Sequence, residues 1–305
     1  RLVIAPGDEI VVTRAEHHAN LVPWQELAAR TGASLRWLDL TEDGRIDPTT
    51  VRVITERTRL LALTHASNVT GAITPLVDIL PAARAVGALV VLDTCQSAAH
   101  LPLDFAALHA AGVDAMVLSS HKMLGPTGIG ALVAAEELLE AMPPVLTGGS
   151  MIEVVRMESS TYMSGPARFE AGSQPLAQAA GWRTAVDYLS GLGMDRLHAG
   201  ELDLMQRVLD GLAALDGVRV LGPADTRERL GVVAFTVDGV HPHDVGQVLD
   251  ASGVAVRTGH HCAQPIHAHF SVSSSARVSF GVTTTAGEVD RFLEAAAGVR
   301  AYFQR

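Results

Sequence analysis

The sequence predicts an α/β protein, with a mostly parallel sheet sandwiched by helices and a smaller C-terminal α+β domain. Three observations predict this. Over the first half of the chain, short apolar runs alternate with helical patterns, the signature of strand–helix–strand units. Those runs are apolar almost throughout, as strands covered on both faces are. The last third instead mixes strand-like and helical pieces without that regular alternation. The large domain is placed at residues 1–190 and the small one at 191–305.

Each element follows from local pattern. "EIVVTR" (9–14) reads as a strand, and "NLVPWQELAARTG" (20–32) as a helix stopped by glycine. "SLRWLDL" (34–40) and "TRLLALTHAS" (58–67) are strand-like. "PLVDILPAARAVG" (75–87) opens on proline and closes on glycine, as helices prefer. "ALVVLD" (88–93), "DAMVLSS" (114–120) and "GIGALVA" (128–134) are strands, with helical "LDFAALHAAG" (103–112) among them. Segment 147–180 is rich in Gly, Ser and Met, has no clean period, and reads as a long functional loop. Two helical stretches follow, then strands "VRVLG" (218–222) and "GVVAFTV" (231–237), and helix "HPHDVGQVLDASG" (241–253). Strands "VAVRTG" (254–259) and "ARVSFGV" (276–282) come next, with a final helix from residue 286.

Composition narrows the function classes. At 48% hydrophobic and 18% charged over 305 residues, the chain is globular and large enough for a sizeable core. A net charge of −10 with no basic run argues against nucleic acid as a partner. No apolar run reaches the roughly 18 residues that cross a bilayer, so no membrane partner is expected. The opening "RLVIAPGDEIVV" lacks the order of a signal peptide and reads as the interior of a domain, with more chain expected upstream. Two cysteines, Cys95 and Cys262, make no disulfide framework, and a cytoplasmic, reducing setting is expected.

Chemistry-bearing residues gather after the predicted strands, where ligands of such sheets bind. Asn68 follows one, Asp93 and Gln96 the next, and Lys122 a third. Alone, each has an ordinary explanation: a turn former, a helix cap, a solvated lysine. Together they fit pyridoxal 5′-phosphate (PLP). A lysine amine forms a Schiff base with an aldehyde cofactor. A carboxylate pairs with the protonated ring nitrogen and keeps the ring electron-poor. Hydroxyls and backbone donors of a Gly-rich turn hold a phosphate. The stretch "RTGHHCAQP" (257–265) is open to three readings: a nucleophilic Cys262, a zinc site at His260, His261 and Cys262, or a surface loop without chemistry. Its spacing departs from the spaced ligand pairs of zinc sites.

The blocks "EHHANLVPWQ", "THASNVTGAI", "VVLDTCQSAAH", "SSHKMLGPTGIGAL", "RFEAGS" and "RTGHHCAQP" stand in one order along nearly the whole chain. They resemble the group II cysteine desulfurases and selenocysteine lyases, fold-type I PLP enzymes of aminotransferase class V. The resemblance implies that Lys122 holds PLP as a Schiff base and later moves substrate protons. Asp93 would pair with the ring nitrogen, His17 stack on the ring, and Gln96 bond the ring oxygen. Ser119 and His121 would hold the phosphate, and Ser173 the phosphate of a neighbouring subunit, where the family more often has Thr. Asn68 and Arg277 would bind the substrate carboxylate, with Arg257 at the base of the cysteine loop. "VSSSARVSFGVTTT" around Arg277 departs from the family's usual wording. Cys262 would take sulfur from L-cysteine, or selenium from L-selenocysteine, and no metal is implied. Sulfur would pass to an acceptor protein of the SufE or SufU type for iron–sulfur cluster assembly, and the enzyme would be a homodimer. The family pattern begins upstream of this chain, with a Gly-Thr-Thr turn that contributes to phosphate binding. The alternatives to a desulfurase are a selenocysteine lyase and a truncated chain that holds no PLP.

Overall fold

The computed structural model describes residues 3–303. Strands β1 (Glu9–Thr13), β2 (Ser34–Leu38), β3 (Thr58–Thr64), β4 (Leu89–Asp93), β5 (Ala115–Ser119) and β6 (Gly130–Ala134) form one sheet in the order β2-β1-β3-β4-β5-β6. Its first five strands are parallel, and only β6 runs antiparallel, against β5. A short hairpin, β7 (Ile152–Val155) with β8 (Ser160–Tyr162), follows. A second sheet, β9 (Val218–Leu221), β10 (Val232–Val237), β11 (Arg257–Gly259) and β12 (Ser275–Ser279), is antiparallel throughout. The predicted α/β class with a smaller antiparallel unit is what the chain adopts.

Helices α1 (Val22–Thr31), α2 (Leu76–Ala85) and α3 (Phe105–Ala111) connect the parallel strands, and their ends are chemically marked. Gly32 closes α1 at φ 73°, where its N–H donates to the Ala28 carbonyl. Asp104 caps α3 by accepting from the Ala106 and Ala107 N–H groups. A short α4 (Glu136–Ala141) precedes the hairpin, and α5 (Leu176–Leu192) and α6 (Met194–Ala213) follow it. The C-terminal sheet packs on α6, α7 (Pro242–Ala251) and α9 (Ala286–Phe303), burying Phe235, Phe292 and Met205.

Three local features differ from expectation. The 147–180 segment contains the β7–β8 hairpin, whose exposed residues give no alternating signal, and from Leu176 onward it belongs to α5. "VAVRTG" shrinks to three strand residues, because only 257–259 reach β12. Helix α8 (Gln264–His269) forms directly after Cys262, where "HHCAQP" gives no helical period. That helix matters most. Ala263, Ile266 and the following Phe270 are buried within the core of the large sheet, beside Val11, Leu63 and Leu92. The cysteine segment is thereby anchored on the sheet whose strand ends carry the lysine.

Candidate active site

Strands β1, β3, β4 and β5 end at the same edge of the sheet, and the turns that leave them build the site. After β1, Glu16 is fully buried and ties its turn to two strands. It accepts from Thr13 Oγ1 at 2.6 Å, the Thr64 N–H at 2.8 Å and Asn20 Nδ2 at 2.6 Å. Burial pushes its carboxyl up to about 8, against those three donors. His17 follows it. The Ala19 N–H donates to His17 Nδ1, so the neutral ring carries its proton on Nε2. Burial lowers the His17 pKa, and the Lys122 charge lowers it further. Asp93 and Arg257 also act on this ring. His17, Asp93, Lys122 and Arg257 therefore share one electrostatic neighbourhood, although up to 240 positions separate them in the chain.

Asp93 is the last residue of β4, in register with Thr64 and Val117, and its Oδ1 accepts from the Cys95 N–H at 2.9 Å. Burial, and then the Asp93 charge, push the Cys95 thiol up to about 12, so it stays a thiol at neutral pH. Gln96 is half-buried at the start of the next turn. Ser119 ends β5, and its Oγ lies 3.1 Å from His121 Nδ1; Lys122 is half-buried one residue further on. Ser173 is exposed, on the segment between the hairpin and α5.

The cysteine segment docks onto these turns through named bonds. The His18 N–H donates to the Cys262 carbonyl at 2.7 Å, and the Gln264 N–H donates to His18 Nε2 at 3.1 Å. Asn68 Nδ2 donates to the His261 carbonyl at 2.6 Å. The Asn68 carbonyl in turn accepts from Arg277 Nη1 at 2.9 Å. Asn68 thus joins three pieces, the β3 turn, the cysteine loop and β12. His261 and Cys262 both adopt left-handed backbone, φ 52° and 56°, which residues with a Cβ rarely take.

Arg257 stands directly opposite Arg277 in the β11–β12 register. Two like charges at that position are unfavourable unless an anion sits between or beside them. Burial, then the Arg257 charge, lower Arg277 to about 10, and its Nε is buried without a partner. A half-buried guanidinium with an unused N–H suits a carboxylate. Three histidines of this segment, His261, His267 and His269, are engaged elsewhere. His261 Nε2 and His267 Nε2 both meet Ser275 Oγ, at 2.9 and 3.0 Å, and His267 Nδ1 bonds the Ala263 carbonyl. His269 Nε2 bonds the Thr41 carbonyl.

Buried neutral histidines make the fold acid-sensitive. Burial lowers His65 to about 4 and, with the Arg277 charge, His261 to about 3. The unfolded chain binds these protons near pH 6.5 and the folded one does not, so the stability contributed by the two neutral rings is full above that pH and falls below it. Glu16, raised by burial, acts in the opposite sense, its contribution being full below about pH 4.5 and lost as pH rises toward 8, so it offsets one of the two histidines and leaves a net loss on acidification. Urea midpoints are expected to drop steadily from pH 6.5 to pH 4, each histidine contributing up to about 1.4 kcal/mol per pH unit. A flat profile over that range would contradict this.

Against known proteins, the aminotransferase class V model matches residues 1–292. The chain belongs to the aminotransferase class V family. It is 52% identical over 299 residues to a probable cysteine desulfurase of Mycobacterium leprae, covering 98% of this chain and 71% of that protein. Among solved structures, the cysteine desulfurase CsdA of Escherichia coli superposes with a TM-score of 0.92 at 36% identity, over 98% of this chain and 73% of that one. A mutant of C-DES, solved with glycine covalently linked to its PLP cofactor, superposes at 0.84 and 25% identity, over 98% of this chain and 76% of its own. This class V chain is thus a cysteine desulfurase homologue, and PLP is the cofactor its family implies. The residues present fit that group: an amine, a carboxylate and a neutral imidazole share one strand-end site, with an unsatisfied guanidinium N–H across Asn68.

Sequence reading missed His18, Glu16 and Ser275. "EHHAN" contains the first two, but nothing in a linear string says that residue 18 meets residue 264.

Proposed function

We propose that this chain is a PLP-dependent cysteine desulfurase that converts L-cysteine to L-alanine and carries the sulfur as a persulfide on Cys262. The observation that supports this best is the docking of the Cys262 loop on His18 and Asn68, beside the strand end that bears Lys122 and Asp93. When bound, PLP supplies an electron-poor ring that stabilises negative charge on the substrate Cα. Lys122 holds the cofactor and moves protons at the substrate Cα and Cβ through Nζ. Asp93 would pair with the ring nitrogen, His17 would stack on the ring, and Gln96 would bond its oxygen, while Lys122 would hold the aldehyde carbon. Ser119 and His121 hold the phosphate. Arg277 and Asn68 bind the substrate carboxylate, with Arg257 at the mouth of the same site. The Cys262 thiolate attacks the substrate sulfur, an S–S bond forms, and the substrate C–S bond breaks. Its electron pair returns to carbon and is protonated there, so cysteine and one thiol become alanine and one persulfide.

Alanine formed from cysteine by the purified chain with PLP, and the sulfide that added dithiothreitol reduces off the Cys262 persulfide, test this reading. Alanine without a persulfide on Cys262, or no alanine at all, would reject it. Losing the charge-assisted bonds of Arg277 is worth about 1.5–3 kcal/mol. Arg277→Ala should therefore raise KM for cysteine about tenfold or more, and an unchanged KM would remove Arg277 from the carboxylate site.

The finer steps are part of the same reading. The persulfide passes to an acceptor of the SufE or SufU type, in a reducing cytoplasm, for iron–sulfur assembly. The active unit is a homodimer, in which Ser173 reaches the partner's phosphate site. Val145, Leu146, Met157 and Leu176, before, within and after the hairpin, are highly exposed apolar side chains that such a contact would cover. Sedimentation velocity should give twice the 32.1 kDa chain mass, and a monomer at micromolar concentration would oppose it.

A further inference from the structure

Proton positions in the cysteine loop follow from its hydrogen bonds. The Ala263 carbonyl can only accept, so His267 Nδ1 carries a proton and donates. His267 is 1% exposed, and burial lowers its pKa, so the ring is neutral and its Nε2 is a bare acceptor. Ser275 then gives its single hydroxyl proton to His267 Nε2. The Ser275 oxygen is left to accept from His261 Nε2–H. His261, also neutral, keeps a bare Nδ1, which is buried with no partner. One fully buried hydroxyl therefore orders two buried rings, and one of them belongs to the residue next to Cys262.

This bond has mechanical work to do. His261 and Cys262 are consecutive left-handed residues, each held there at a cost of about 1–2 kcal/mol. The loop needs ties that outweigh this strain. Backbone ties come from His18 and Asn68. The only side-chain tie of His261 among the described residues is Ser275. The two ring centroids are 5.5 Å apart and tilted by 42°, and the shared hydroxyl bridges their Nε2 atoms.

We infer that Ser275 is a positioning residue for Cys262, its shared hydroxyl holding His261 and His267 so that the loop keeps its left-handed turn and presents the sulfur to the substrate. The inference rests on the desulfurase reading for its consequence and on the loop geometry for its substance. Misplacing a reacting atom by about 1 Å can cost up to a hundredfold in rate. Ser275→Ala should lower kcat for alanine formation about tenfold or more, with KM changed less than about threefold. Ser275→Thr keeps the hydroxyl in a strand that accepts β-branched residues, and should recover to within about threefold of the parent. Alkylation of Cys262 by iodoacetamide, followed by peptide mass spectrometry, should change rate in Ser275→Ala and return in Ser275→Thr. Cys95, held as a thiol, is the slow internal reference. Parent-like kcat and alkylation in Ser275→Ala would overturn the inference, as would a Ser275→Thr variant no better than Ser275→Ala. Alkylation reads the loop whether or not the chain turns over cysteine. Absent turnover in the parent would therefore reject the desulfurase reading and leave the inference to the alkylation rates.

Discussion

Lys122→Ala is expected to lose the visible absorption band that the parent chain gains with PLP, and to lose alanine formation with it. The proposed function gives the amine two tasks, and neither the Asp93 carboxylate nor the His17 imidazole beside it can form a Schiff base in its place. In the proposed reaction it would be the Schiff-base partner of the aldehyde and would move protons at the substrate. Proton transfer alone is commonly worth 10²–10⁴-fold. Turnover should therefore fall by about 10⁴-fold or more. The neighbouring groups should survive, because Lys122 sits in a turn and the His17 and Asp93 positions are set by other bonds. Titration with PLP, followed by absorbance and by alanine release, checks both tasks at once. A band that persists in the variant would move the cofactor away from this strand end. If parent and variant alike show no band, the site does not hold PLP.

Cys262→Ala should separate binding from sulfur transfer. The PLP band should remain, because Cys262 contributes no side chain to the Lys122, Asp93 and His17 cluster and its carbonyl keeps the His18 bond. Alanine formation from cysteine should fall by about a thousandfold or more, the effect of removing a covalent nucleophile. Selenocysteine offers a sharper comparison, because selenium leaves more readily than sulfur. A variant that retains selenocysteine turnover and loses cysteine turnover places Cys262 at sulfur abstraction. Undiminished cysteine turnover would sink the persulfide assignment.

Much of this site is legible in the sequence because its residues follow strands. Asp93 ends β4 and Lys122 follows β5, and apolar runs of five and four residues announce these ends directly. The connection of Cys262 to them is not legible. It depends on α8, a helix of six residues whose buried members Ile266 and His267 are adjacent and show no period. Spacing counts against zinc ligation at His260, His261 and Cys262 without deciding between catalysis and a plain loop. Ring hydrogen bonds to Ser275 and Ala263 engage His261 and His267.

The sequence by itself determined the class of fold, the order along the chain of the six strands of the large sheet, and which residue types stand at their ends. Those properties are local: hydrophobic period, glycine and proline at helix ends, polar residues after apolar runs. Tertiary structure alone decided that the loop at 257–262 closes over the lysine edge, that Arg257 and Arg277 face each other, and that Ser275 serves two histidines. Each of these joins segments from different elements, in some pairs nearly two hundred residues apart. Their register is set by burial of Ile266 and Phe270 in the first core and by strand pairing in the second sheet.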